Sequence, residues 1–188
     1  MEQDEILQIA SQLSGDDVCA EILALSVVEF SHTPKSRITL DIDSTKGVLR
    51  DTGRGMRLTP DRGDTLSHAE RALIGHYPCL PSNDVVGTVL SELIWGARGS
   101  LGPSVANFAC KSYRFTSMRD GEIWSQLYQG GRPTGPATML GLTEESGTRV
   151  EFETERPIDA SKVKSLVHTV CGRIKGLSIS LRHDGTTY

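Results

Sequence analysis

The residues best suited to chemistry in this chain are a carboxylate followed by two glycines, Asp51-Thr52-Gly53-Arg54-Gly55-Met56. A carboxylate at a strand end accepts a hydrogen bond from an exocyclic amine, and residues without a Cβ let backbone approach a flat ring closely. Alone, D-x-G-x-G is equally an ordinary turn. A second glycine group, Gly96-Ala97-Arg98-Gly99-Ser100-Leu101-Gly102, runs into Pro103, a residue type suited to the first turn of a helix. Backbone N–H groups at a Gly-rich helix start form a phosphate site, although the same residues also serve as a flexible linker. A third element, Ser146-Gly147-Thr148-Arg149-Val150, enters a strand with a Thr148 hydroxyl able to reach the same ring as Asp51.

The elements that must position these residues follow from periodicity. Asp4 to Leu13 has a helical period through Ile6, Leu7, Ile9, Ala10 and Leu13. A second helix is expected after Ser14-Gly15, capped by Asp16 or Asp17 and ending before Pro34. Arg37 to Ile42 alternates as a strand, and Asp43 to Gly47 turns it into a short strand, Val48 to Arg50, that delivers the chain into the Asp51 box. Residues 57–100 form a long Gly- and Pro-punctuated connection with helical patches at Leu66–His76 and Val85–Trp95, and connections of this length are commonly functional. A short helix from Pro103 to Ala109 precedes four strand-like runs, Tyr113–Met118, Glu122–Tyr128, Ala137–Leu142 and Thr148–Thr154, the first two joined by Arg119-Asp120-Gly121. Ala160 to Ile174 is an amphipathic helix closed by Gly176, and Leu177 to Arg182 is a last strand. The order predicts an α+β fold with helices on one face of a mixed, mostly antiparallel sheet.

Composition bounds the function. The chain has 188 residues, with 20 Lys+Arg against 24 Asp+Glu, a net charge of −4 and 37% hydrophobic residues, which together predict one domain over 1–188 and exclude disorder. The acidic balance argues against a nucleic-acid footprint on the domain's own surface. No apolar run approaches the ~18 residues of a membrane span, and Met1-Glu2-Gln3-Asp4-Glu5 has the wrong sign for a leader, so a cytoplasmic protein with no membrane partner is expected. Cys19, Cys79, Cys110 and Cys171 are far apart and read as reduced thiols without a metal.

The three elements, in this order, resemble the GHKL ATPases of the gyrase B and topoisomerase IV B type, over most of the chain. Asp51-Thr52-Gly53-Arg54-Gly55-Met56 resembles the family's D-x-G-R-G-I/M box, and Lys35 to Asp51 the hairpin that leads into it. Gly102-Pro103-Ser104-Val105-Ala106-Asn107 resembles G-V-S-V-V-N, Arg119-Asp120-Gly121-Glu122-Ile123 resembles R-E/D-G-K-I, and Gly147-Thr148-Arg149-Val150-Glu151-Phe152 resembles G-T-x-V-x-F. The resemblance implies the Bergerat two-layer α/β sandwich and an ATP site. Asp51 would accept from the adenine amine with Thr148 assisting, Gly53 and Gly55 would line the purine, and Met56 would pack on it. Arg54 and Arg119 would edge the mouth, where the family's aminocoumarin-type inhibitors sit, and Gly99 and Gly102 would approach the phosphates under a lid formed by 57–100. Topoisomerase-type subunits are the partners it implies, with DNA reached only through a larger assembly.

The departures bear on hydrolysis. The family's first long helix carries E-x-x-x-N, whose Glu polarises the attacking water and whose Asn oxygen ligates Mg²⁺. Asn occurs here only at Asn83 and Asn107. Counting back from Asp51 without gaps puts Ala20 and Ala24 at the two positions; a one-residue slip gives Glu21 and Leu25; aligning Val27-Val28-Glu29 on the family's V-V-D gives Ser26 and Phe30. No register restores the pair, and only one keeps a carboxylate, which makes Glu21 the candidate base. The phosphate loop ends Gly99-Ser100-Leu101-Gly102 where the family has H-G-V-G, and the 188 residues contain no counterpart of the gyrase N-terminal arm or of the transducer domain with its phosphate-contacting lysine. The expectation is nucleotide binding with hydrolysis open; the alternative is a degenerate stand-alone module that regulates topoisomerase-like partners by binding nucleotide or protein. His68, His76, His168 and His183 show no pairing pattern, Trp95 and Trp124 read as packing, and Glu29, like Glu21 in the ordinary reading of a helix, falls on a solvated face.

Overall fold

The computed structural model describes residues 3–75, 80–96, 99–100 and 102–188. His76, Pro78, Cys79, Ala97, Arg98 and Leu101, which carry some of the sequence expectations, lie outside the described residues.

Two helices open the chain, α1 (Gln3–Ala10) and α2 (Gly15–His32). The cap of α2 is Ser14 rather than Asp16 or Asp17. Its hydroxyl accepts from the Asp17 N–H while the Asp17 carboxylate accepts from the Ser14 N–H, a reciprocal capping box that satisfies two orphan donors. Helix α2 is apolar nearly all round, with Val18, Ile22, Leu23 and Val27 almost fully buried, so it runs through the core.

The hairpin β1 (Ile38–Ile42) and β2 (Lys46–Asp51) follows, then the long connection, which contains α3 (His68–Ile74) and α4 (Asp84–Leu90). The second helix continues into a π-helical turn, Ser91–Trp95. Ser67 with Glu70 forms a capping box on α3, and the Asn83 side chain caps α4. Leu73, Val86 and Leu90 are buried in the common core, so the helical parts of 57–100 are fixed by packing. The rest comprises α5 (Pro103–Phe108), β3 (Cys110–Arg119), β4 (Glu122–Gln129), β5 (Arg132–Pro133), β6 (Thr138–Leu142), β7 (Gly147–Thr154), α6 (Ala160–Arg173), β8 (Ile179–His183) and β9 (Thr186–Thr187).

The strands form one mixed sheet in the order β5-β4-β3-β7-β2-β1-β8-β9, with β6 also pairing with β4. Among the described residues only β1 and β8 pair in parallel. The α+β class with a mostly antiparallel sheet is as expected from the sequence; the two-residue strands β5 and β9 are additions. Alternation divides the sheet cleanly: Leu40, Leu49, Tyr113, Phe115, Val150 and Phe152 are buried against the helices, whereas Arg50, Arg114, Arg149 and Glu151 occupy the other face. Trp95 is buried in the core, and Trp124 packs at its margin with its indole N–H donating to Glu122. Cys19 and Cys110 are buried free thiols whose pKa values burial pushes up, and Cys171 is half-buried and also free. Among the described residues no helix is long and apolar enough to cross a membrane.

Candidate functional site

Asp51 is the last residue of β2 and lies opposite Thr148 of β7, which in turn lies opposite Ser117 of β3. This cross-strand row points at helix α2. Asp51 is only 5% exposed, and each oxygen of its carboxylate accepts a hydrogen bond. Ser26 of α2 donates its hydroxyl to Oδ2 at 2.7 Å, and the Gly53 N–H donates to Oδ1 at 2.9 Å. Burial raises the pKa of Asp51; the hydrogen bonds from Ser26 and Gly53 pull the other way, and the Glu29 charge nearby adds to the rise.

The loop after Asp51 is locked in place. Gly55 adopts φ +68°, and a Cβ there would meet the Met118 carbonyl and the Ser117 hydroxyl at 2.7 Å, so the position tolerates no side chain. The Met56 N–H donates to Ser117 Oγ at 2.9 Å, and the Arg119 guanidinium donates to the Gly55 carbonyl at 3.1 Å. Gly147 is pressed equally hard, since a Cβ at its φ of +137° would collide with the Asp51 carbonyl.

Glu29 is not on a solvated face. It forms a two-pronged pair with Arg54, Nε to Oε1 and Nη2 to Oε2 both at 2.8 Å, and also accepts from the Arg54 backbone N–H at 2.8 Å and the Thr33 hydroxyl at 3.1 Å. Burial alone would raise the Glu29 pKa, but the Arg54 hydrogen bonds and charge outweigh it and hold the carboxyl below its ordinary value. Gly53 packs so closely on Glu29 that a Cβ there would strike the Glu29 side chain. Glu21 is likewise no surface residue, being 5% exposed.

These groups surround a cavity of about 310 Å³ between α2 and the sheet. Of the sequence-expected residues, Asp51, Arg54, Gly55, Met56 and Thr148 border it. Gly53 is adjacent, bonded to Asp51, while Arg119 borders a smaller recess on the far side of Met56. Glu21, Gly99 and Gly102 do not border the cavity. Gly99 is exposed, and Gly102, at φ +81°, is buried at the start of α5. Periodicity alone does not assign the apolar walls, Leu49, Phe115 and Val150 from the sheet and Leu25 and Val28 from α2. Leu80 closes one side, next to Ser82, whose hydroxyl donates to the Ser31 carbonyl of α2 at 2.9 Å.

The cavity also orders the three helix registers. Of Ala24, Leu25 and Phe30, the alternatives at the Asn position, only Leu25 faces it, and Glu21 stands one turn earlier on the same stripe as Leu25 and Glu29. Ser26, the third register's substitute for the Glu, is committed to Asp51.

No family model matches the chain. Among curated proteins it is 27% identical over 151 residues to the DNA gyrase B subunit of Thermotoga maritima, covering 76% of this chain and 22% of that protein. It is 29% identical over 161 residues to the DNA topoisomerase 4 B subunit of Mycoplasma genitalium, covering 84% and 24%, and 22% identical over 139 residues to the Myxococcus xanthus gyrase B subunit, covering 68% and 15%. The chain therefore spans less than a third of the length of each of these three relatives. Among solved structures, the 43K ATPase domain of Thermus thermophilus gyrase B, in complex with an aminocoumarin, superposes with a TM-score of 0.66 over 91% of this chain and 43% of that one, at 18% identity. Motif order, sequence relatives and fold agree: the chain is similar in sequence to DNA gyrase B and topoisomerase 4 B subunits and shares the fold of the gyrase B 43K ATPase domain.

Proposed function

We propose that the cavity between α2 and the sheet binds the adenine end of ATP, as a nucleotide-binding domain within a topoisomerase-type assembly in the cytoplasm. The observation that carries this reading is the state of the Asp51 carboxylate. A carboxylate offers about four acceptor sites. Ser26 and Gly53 use two, leaving capacity for an exocyclic amine in a cavity of about 310 Å³ whose walls from the sheet and α2, Leu49, Phe115, Val150, Leu25 and Val28, are apolar. That combination of apolar walls and few convergent polar groups is the usual anatomy of a small-molecule site. Phe115 and Val150 supply the flat apolar wall, the Gly55 backbone supplies the close approach, and Arg54, held by Glu29, edges the opening.

The residues do not fit a protein-held Mg²⁺ of the family kind. Leu25 presents methyl groups where an oxygen ligand is needed, and no group of three His, Cys, Asp or Glu side chains among the described residues is arranged to hold a metal. Hydrolysis also needs a group to orient water, and Glu21, the candidate for that role, does not border the cavity. The reading is therefore nucleotide binding with little turnover, and Gly99, Gly102 and the segment 57–100 enter it as the proposed phosphate side and lid.

Asp51→Ala tests the reading. A charge-assisted hydrogen bond to a bound amine contributes about 1.5–3 kcal/mol. Adenosine affinity should fall at least about tenfold by calorimetry, with the circular dichroism spectrum unchanged; equal affinity in the variant would remove Asp51 from the site.

A further inference from the structure

The face of the sheet that bears no helix is a lattice of ion pairs with one unbalanced corner. Lys46 and Lys111 both meet Glu153, Arg114 and Arg149 both meet Glu151, and Arg182 meets Asp41. Arg50 and Arg37 have no carboxylate within 4.0 Å among the described residues. Yet Arg50 lies directly opposite Arg149 across the β2–β7 ladder, and like charges placed so repel each other. The buried Nε of Arg149 has no hydrogen-bond partner among the described residues. Arg37, whose backbone N–H is tied to the Thr52 hydroxyl at 2.9 Å, completes the group.

These three arginines border one recess of about 410 Å³, which Asp51, Thr52, Met118, Glu145 and Ser146 also line. Asp51 borders both this recess and the cavity beside α2, but its carboxylate turns to Ser26 of α2, whereas Arg50 and Arg149 point from the other face of the sheet. We infer that this recess is a second ligand site, one that takes a compact phosphate group. Guanidinium forks converging from three strands or strand ends suit an anion with oxygens in several directions, whereas a planar carboxylate is saturated by one or two forks. Glu145 and Glu151 hem in the positive charge, so the corner fits a small phosphate ester and repels an extended polyanion. The inference does not depend on what the nucleotide cavity binds.

The test is a titration of the full chain with inorganic phosphate, followed by the arginine Nε–H resonances and by calorimetry. The Arg149 Nε–H signal should shift and saturate. Arg50→Gln, an exposed substitution, should weaken phosphate at least about tenfold, as expected for a lost charge-assisted bond. Arg114→Gln, which removes a similar charge from the same face outside the recess, should change it less than about twofold. An unmoved Arg149 signal overturns the inference, as does equal weakening by Arg114→Gln. Succinate binding as tightly as phosphate would assign the recess to carboxylates instead. A single-stranded oligonucleotide binding more tightly than phosphate would make it part of a polyanion surface and equally overturn the compact site.

Discussion

The two ends of the cleft beside α2 are built to different standards. At the sheet end, Asp51, Thr148 and Ser117 stand in one cross-strand row, Gly55 and Gly147 leave no room for a Cβ, and the Asp51 carboxylate and Ser117 hydroxyl both have named partners. At the helix end, the stripe that runs Glu21, Leu25, Glu29 presents a methyl group, then a carboxylate already committed to Arg54. The difference teaches where a ligand's binding energy arises in this domain. In the proposed reading the sheet end takes a base, while the helix end, with Glu29 bonded to Arg54, stabilises the loop that carries Arg54.

The harshest way to break the sheet end is through its glycines. Gly147→Ala forces a side chain into a left-handed backbone and onto the Asp51 carbonyl, and should cost on the order of 3 kcal/mol of stability by denaturant unfolding. Gly185→Ala, at φ +76° but in open space, should cost about 1 kcal/mol, the conformational strain alone. Equal losses at the two would mean that the Asp51–Gly147 contact is not tight.

A smaller effect separates the two carboxylates by pH. The proposed bond needs Asp51 ionised, and burial raises its pKa, so adenosine affinity should decline as pH falls through that raised value, above the range of an ordinary aspartate. Glu29 behaves in the opposite sense. Its folded-state pKa is lowered, so its contribution to stability is present above the unfolded value and lost as pH falls through the folded one. Glu29→Gln should therefore lower stability at neutral pH by about 1 kcal/mol, a modest figure because Arg54 is largely exposed, with the gap closing in acid. Unfolding curves of both proteins across the acid range check it.

The smallest change is in exchange rates. Amides of Leu80 and Ser82, beside the cavity, should slow when adenosine binds, whereas those of Leu73 and Leu90, already packed in the core, should not. Slowing spread evenly over 57–100 would instead describe a lid that moves as one piece.

Much of the sheet end was legible in the sequence because it is local. The Asp51 box, the turns and the alternation of β1, β3 and β7 are written in short windows. The helix end was not, for a physical reason: α2 is buried on nearly all sides, so its period marks no single face, and neither Ser26 on Asp51 nor Glu29 on Arg54 is visible when the partners lie 25 residues away. The Ser14 cap escapes a sequence reading because Asp17, which has the residue type of a cap, is the other half of the capping box. Strands β5 and β9 are too short to carry a period and exist only because their neighbours offer a paired edge.

The most direct measurement is a calorimetric titration of ATP, ADP and adenosine, each with and without Mg²⁺. A cleft furnished at the base end alone predicts that adenosine keeps most of the affinity of ATP and that Mg²⁺ changes ATP binding by less than about threefold, under about 1 kcal/mol. ATP bound about a hundredfold more tightly than adenosine, and only with Mg²⁺, would contradict the account and show that the helix end holds the phosphates and their metal after all.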